Sequence, residues 1–165
     1  MTRPTRLRTQ AGSTLMEVLI AVLILSLGAL VYAGMEVQGL SKNASAMWRS
    51  KATQLAYSMA DRMRANYAGV QAGNYNSFTV PVTAPGCGTS SACTPAAMAT
   101  LDYSQWRASV ATMLPGGIGV VCMTSTPDAG TPANPGCDGS GSNLAVKVFW
   151  TEKGTPSLFA TVVRP

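Results

Sequence analysis

From Ser13 to Met35 the chain runs for twenty-three residues with Glu17 as its only charge. A helix of that length, at about 1.5 Å per residue, crosses a hydrocarbon core of about 30 Å. A helix that is apolar all round needs lipid or other helices to cover it. Arg3, Arg6 and Arg8 precede the run with no acidic residue among them, a bias that holds the N-terminus in the cytoplasm and exports the remainder of the chain. The carboxylate is the costly part, because an acidic side chain at mid-bilayer is disfavoured by roughly 2.5 to 3.5 kcal/mol. Glu17 therefore needs either a buried positive partner or a position from which it reaches the headgroups.

No proline occurs between Thr5 and Val80, so nothing forbids the helix from continuing past Met35. Leu40, Ala44, Met47, Ala52, Leu55, Met59 and Met63 recur mostly every three or four residues. Lys42, Arg49, Lys51, Asp61, Arg62 and Arg64 fall largely elsewhere, which predicts one apolar stripe packed on a domain. The alternative is two helices broken at Gly34 or Gly39, since each glycine costs about 1 kcal/mol relative to alanine.

The rest of the 165 residues suffices for one small exported domain. Cys87, Cys93, Cys122 and Cys137 all lie in that part, which favours disulfides. Local pairing, Cys87 with Cys93 and Cys122 with Cys137, is preferred because each pair closes a loop rich in Gly, Pro, Ser, Thr and Asn. Residues 68–97 read as loop with "SFTVPV" as a strand candidate. "LDYSQWRASVATMLPGG" predicts a short helix capped by Asp102. Its inner face is Tyr103, Trp106, Val110 and Met113 or Leu114, and Pro115-Gly116-Gly117 stops it. Three strands come next, "IGVVCMT", "NLAVKVFW" and "SLFATVV", with Leu144, Val146, Val148 and Trp150 on one face and Lys147 on the other. The turn around "TEKGTPS" makes an antiparallel hairpin, and helices followed by such strands give an α+β fold.

Several chemistries are excluded. With no histidine anywhere, Ser-His-Asp, Cys-His and histidine-based metal sites cannot form, and the cysteines lack a CxxC spacing for zinc. "PGGIG" comes after a helix instead of opening one, so it reads as a turn and not a phosphate loop. "NPGCDGSGSN" offers Asp138 but too few carboxylates for a calcium loop. From Ser13 onward nine basic residues face seven acidic ones, which argues against nucleic acid as a partner. Neither a cofactor, a metal nor an enzymatic activity is expected.

"AGSTLMEVLIAVLILSLGAL" resembles the N-terminal signature of type IV pilins, a short basic leader ending in glycine and then an apolar helix whose fifth residue is glutamate. The resemblance implies cleavage by a prepilin peptidase between Gly12 and Ser13, methylation of the new N-terminus at Ser13, and docking of Glu17 on a neighbouring subunit's amine. Ser13 departs from the phenylalanine usual at that place. "LILSLGALVYAGME", "SKATQLAYSMADRMRANYAG" and "WRASVATMLPGGIGVV" further resemble the PilV-type minor pilins, over about half the chain in order.

The implied fold is type IV pilin-like: a long N-terminal helix with a membrane-spanning first half, packed on a small antiparallel β-sheet domain. Residues 1–12 are then a leader, 13–35 the transmembrane and filament-core helix, 36–67 its amphipathic half, and 68–165 a periplasmic head with disulfides. The implied partners are other minor pilins, the major pilin, prepilin peptidase, the pilus assembly machinery and inner-membrane lipid. The protein would be single-pass in the inner membrane and extracellular once assembled, helping to prime the pilus at its tip. Two alternatives stay open: a minor pseudopilin of type II secretion, and a secreted binding domain whose signal peptide ends at Val31-Tyr32-Ala33.

Overall fold

A computed structural model describes residues 15–87 and 92–164. It contains helix α1 (Leu15–Ala65), helix α2 (Tyr67–Gln71), strand β1 (Ser77–Phe78), helix α3 (Pro95–Met113) and strands β2 (Ile118–Met123), β3 (Leu144–Glu152) and β4 (Thr155–Val163). The strands form one antiparallel sheet in the order β1-β2-β3-β4. This is an α+β, type IV pilin-like fold. The chain divides into two compact units, one ending at Asn43 and one beginning at Ala44.

In the first unit α1 is continuous through Gly28, Gly34 and Gly39, so the break considered at Gly34 or Gly39 does not occur. Its apolar side chains are exposed on every side, from Leu15 to Leu40. The second unit begins on the same helix. There Ala52, Leu55, Ala56, Met59, Ala60 and Met63 form the buried face, and Trp48 is partly buried beside them.

The stripe expected from Leu40 is therefore shorter than its periodicity. Leu40 is 67% and Met47 45% exposed, because Leu40 lies in the other unit and Met47 precedes the first residues that meet the core.

α3 supplies Ala99, Tyr103, Trp106, Val110 and Leu114 to that core. Thr94 caps it, its hydroxyl accepting from the Ala97 N–H at 3.2 Å, and Pro95 occupies the first turn, where no N–H is needed. The helix thus starts seven residues before Asp102, and the expected cap at Asp102 is corrected: this residue lies mid-helix and is buried. Of the two candidates at the other end, Leu114 is buried and Met113 exposed.

The sheet pairs as its alternation requires. β3 and β4 join through Lys153 and Gly154, both with positive φ (51° and 81°), which is the two-residue turn whose twist suits a hairpin. Val121, Leu144, Val146, Val148, Trp150 and Val163 face the helices. The strand candidate "SFTVPV" shrinks to Ser77 and Phe78, paired with Cys122 and Val121. Beyond them the Thr79 N–H turns back to the Ser77 carbonyl, and Pro81 has no N–H for a ladder.

Candidate assembly helix and head-domain sites

Gly12 and Ser13, the residues of the expected cleavage and methylation, lie outside the described residues. Glu17 is in the first turn of α1, where a carboxylate meets the positive end of the helix dipole. An 18-residue window of this helix has a mean hydropathy of 2.5 with none of it buried, so the helix is long and apolar enough to cross a membrane. Ser26 is a polar residue within the apolar run, and its hydroxyl donates to the Leu23 carbonyl at 2.8 Å, which makes it compatible with lipid.

The head carries two buried polar constellations. In the first, Arg62 at the end of α1 donates to Asp102 Oδ1 at 3.3 Å and to Gln105 Oε1 at 3.2 Å. Tyr75 donates to the other Asp102 oxygen at 3.0 Å, and Asn66 Nδ2 donates to the Tyr75 hydroxyl at 3.0 Å and to the Pro95 carbonyl at 2.8 Å. Arg62 and Tyr75 thus place one donor on each oxygen of a carboxylate that is 8% exposed, and Asn66 ties Tyr75 to the start of α3. Burial pushes the Tyr75 hydroxyl above its ordinary range, the Asn66 donor opposes, and Asp102 adds to the rise. A cleft of about 290 Å³ opens beside this network, lined by Arg62, Asn66, Pro95, Met98 and Asp102.

The second constellation covers the far face of the sheet. Val120, Cys122 and Phe149 form a small second core there, with Ile118, Leu158 and Cys137 against them. Lys147 points to this face as expected, yet it is fully buried. Its Nζ donates to the carbonyls of Ala129 and Pro135 at 2.8 Å and of Thr126 and Gly136 at 3.3 Å. Loss of water pushes its pKa down, while Asp138 and Asp128 push it up. The carbonyl cage also favours the ammonium, since a neutral amine would turn a lone pair toward an oxygen.

The residues that make the cage are drawn together by Gly130 and Gly136. A Cβ on Gly130 would stand 2.5 Å from Pro135 carbonyl atoms, and Gly130 and Gly136 both have positive φ.

Cys122 is bonded to Cys137 across this segment, and Cys87 to Cys93 before α3. Asp138 fastens the segment's end, accepting from the Ser125 N–H at 3.1 Å and the Ser140 N–H at 2.9 Å as well as from the Ser125 hydroxyl. These donors hold its carboxyl well below the usual carboxylate range, the Ser125 hydroxyl contributing most. Sequence reading missed the role of Lys147, whose partners are all main-chain carbonyls. It also missed the Tyr75–Asp102 link, for which the buried acid at helix spacing from Trp106 was the available signal. Among the described residues no group of three Cys, Asp or Glu is placed to hold a metal ion.

Residues 7–33 match the prokaryotic N-terminal methylation motif, and residues 34–104 match the family described as type IV pilin Tt1218. The matches run end to end from the basic leader to the middle of α3, leaving β2, β3 and β4 beyond them. No curated protein and no solved structure matches the chain. Together the two matches support a type IV pilin, anchored in a membrane by its apolar helix, processed by prepilin peptidase and assembled with other pilins.

Proposed function

We propose that this chain, whose two matched segments and α+β fold are those of a type IV pilin, serves as a minor pilin of the PilV type. In this reading it is held in the inner membrane by residues 13–35 with its head in the periplasm. It is cut between Gly12 and Ser13, methylated on Ser13, and drawn into the pilus at or near the tip, where it helps to prime assembly. Its role is structural and not catalytic.

One observation carries the proposal. A single helix is apolar on every side as far as Leu40, then buries only one face from Ala52 to Met63. The head can satisfy its own core, whereas the N-terminal stretch needs lipid or other such helices. In the core of a filament Glu17 then pairs with the N-terminal amine of a neighbouring Ser13, and the low dielectric there strengthens that attraction.

The test compares sheared pili with membranes by quantitative immunoblot of a tagged chain, together with pilus counts on cells lacking it. The proposal expects far fewer copies than the major pilin, labelling near filament ends, and fewer pili in the deletion. Stoichiometry equal to the major subunit would refute the minor role. Loss of protein secretion with normal piliation would assign the chain to a type II secretion system instead.

A further inference from the structure

The segment between β2 and β3 is fastened by the Cys122–Cys137 bond, the Lys147 cage and the Asp138 latch, with the Thr124 hydroxyl donating to the Gly136 carbonyl at 2.8 Å and the Gly139 N–H to the Met123 carbonyl at 3.2 Å beside them. They are unequal in kind. The disulfide is covalent and spans 15 residues, limiting where the loop can travel. The cage is four hydrogen bonds that form only after the loop has arrived, and they must offset the cost of taking an ammonium out of water. The latch is exposed at Asp138 and Ser125, where water competes for every donor.

We propose that this segment is a redox-closed strap, and that Lys147 is a concealed amine reachable by solvent and acylating reagents only when Cys122 and Cys137 are thiols. Closing removes two protons and two electrons from the thiols and passes them to a disulfide oxidant, which leaves as two thiols. Opening reverses this with a dithiol reductant, which leaves as a disulfide. In the open form the Lys147 ammonium recovers water, and Val120, Phe149 and Leu158 lose their cover with it. The α1 and α3 core lies on the opposite face and shares none of these fastenings, so opening is local. The head thereby carries a chemical mark of completed oxidation on one side of its sheet.

The experiment uses the full chain in detergent micelles and limiting N-hydroxysuccinimide acetate, with the acylation rate of each lysine read by peptide mass spectrometry. Lys153, at the exposed hairpin turn, is the internal reference. In the oxidised protein Lys147 should react at least about tenfold more slowly than Lys153, as expected for an amine exposed only by local opening. Reduction, or the Cys122→Ser/Cys137→Ser pair of substitutions, should raise its rate several-fold. Reoxidation with a small disulfide should restore protection, and Cys87→Ser/Cys93→Ser should leave it unchanged.

Near-ultraviolet circular dichroism tracks the Tyr103 and Trp106 core in each sample. Protection that survives reduction would show that the cage holds alone and would overturn the proposal. So would equal rates at Lys147 and Lys153 in the oxidised protein, or a rate that rises only with loss of the core signal.

Discussion

The indole N–H of Trp106 donates to the main-chain carbonyl of Leu55 at 2.8 Å, tying the middle of α3 to the second half of α1. The ring lies over Gly119, where a Cβ would come within 2.5 Å of it. One side chain thus joins both helices to the sheet, and its fit depends on a missing methyl group in β2.

Trp106→Phe is expected to destabilise the head by about 1 to 3 kcal/mol, from one lost hydrogen bond and lost packing. Gly119→Ala should cost a similar amount, about 1 to 3 kcal/mol, by overpacking the ring. Urea unfolding of the full chain in micelles, monitored by fluorescence, measures both. If Gly119→Ala left the midpoint unchanged, the close approach would not constrain the fold.

Alkaline pH should weaken the head. Burial raises the hydroxyls of Tyr75 and Tyr103 above their ordinary value of 10.0. Above that value the unfolded chain releases protons that the folded chain retains, so stability falls as pH rises. The contribution is fully present below about pH 10 and is lost toward the folded values. Urea midpoints at about pH 8, 10 and 11 check the slope, and Tyr75→Phe should flatten it.

Processing is read by intact mass. The mature chain should begin at Ser13 and carry one extra methyl group. A chain beginning at Gly34 would identify an ordinary signal peptide and overturn the pilin reading, whereas an unmethylated Ser13 would remove only the methylation.

Glu17→Ala should leave cleavage and membrane insertion intact while sharply reducing the chain in sheared pili. The substitution shortens a side chain proposed to meet a neighbour's amine and does not alter the export signals. Equal amounts of mutant and wild-type protein in pili would show that Glu17 has no part in docking.

A fragment from Ala44 to the C-terminus should fold without lipid and stay monomeric. It keeps the whole buried face of α1, from Ala52 to Met63, and omits the apolar stretch before it. Circular dichroism and size exclusion of the oxidised fragment provide the check. Filament formation by this fragment would contradict the role given to the N-terminal helix.

Much of this architecture is legible in the residues because it rests on local periodicity. Leu144, Val146, Val148 and Trp150 alternate cleanly, and Lys153-Gly154 has the turn chemistry that fixes the register of β3 on β4. The membrane-length helix and its single carboxylate are equally plain. The features that escaped depend on tertiary contacts. Asp102 reads as a helix cap until Thr94 and Pro95, set among loop-forming residues, prove to start the helix. Phe78 continues into an apparent strand that Pro81 prevents. The burial of Lys147 has no sequence signature at all, because main-chain carbonyls belong to every residue and only the path of the loop brings four of them together.

Gly34 and Gly39 have a mechanical consequence. Both sit in the continuous part of α1 with nothing within 4 Å of where a Cβ would stand, so no neighbouring side chain braces them. Each is less helix-favouring than alanine by about 1 kcal/mol, which makes the roughly six residues they bracket the first to yield under axial tension. Helix rises about 1.5 Å per residue and extended chain about 3.3 Å, so drawing out those six lengthens a subunit by about 11 Å. Pulled between its head and its anchor, a subunit would lengthen here first, and alanine at both positions would make the single chain stiffer in a force-extension trace.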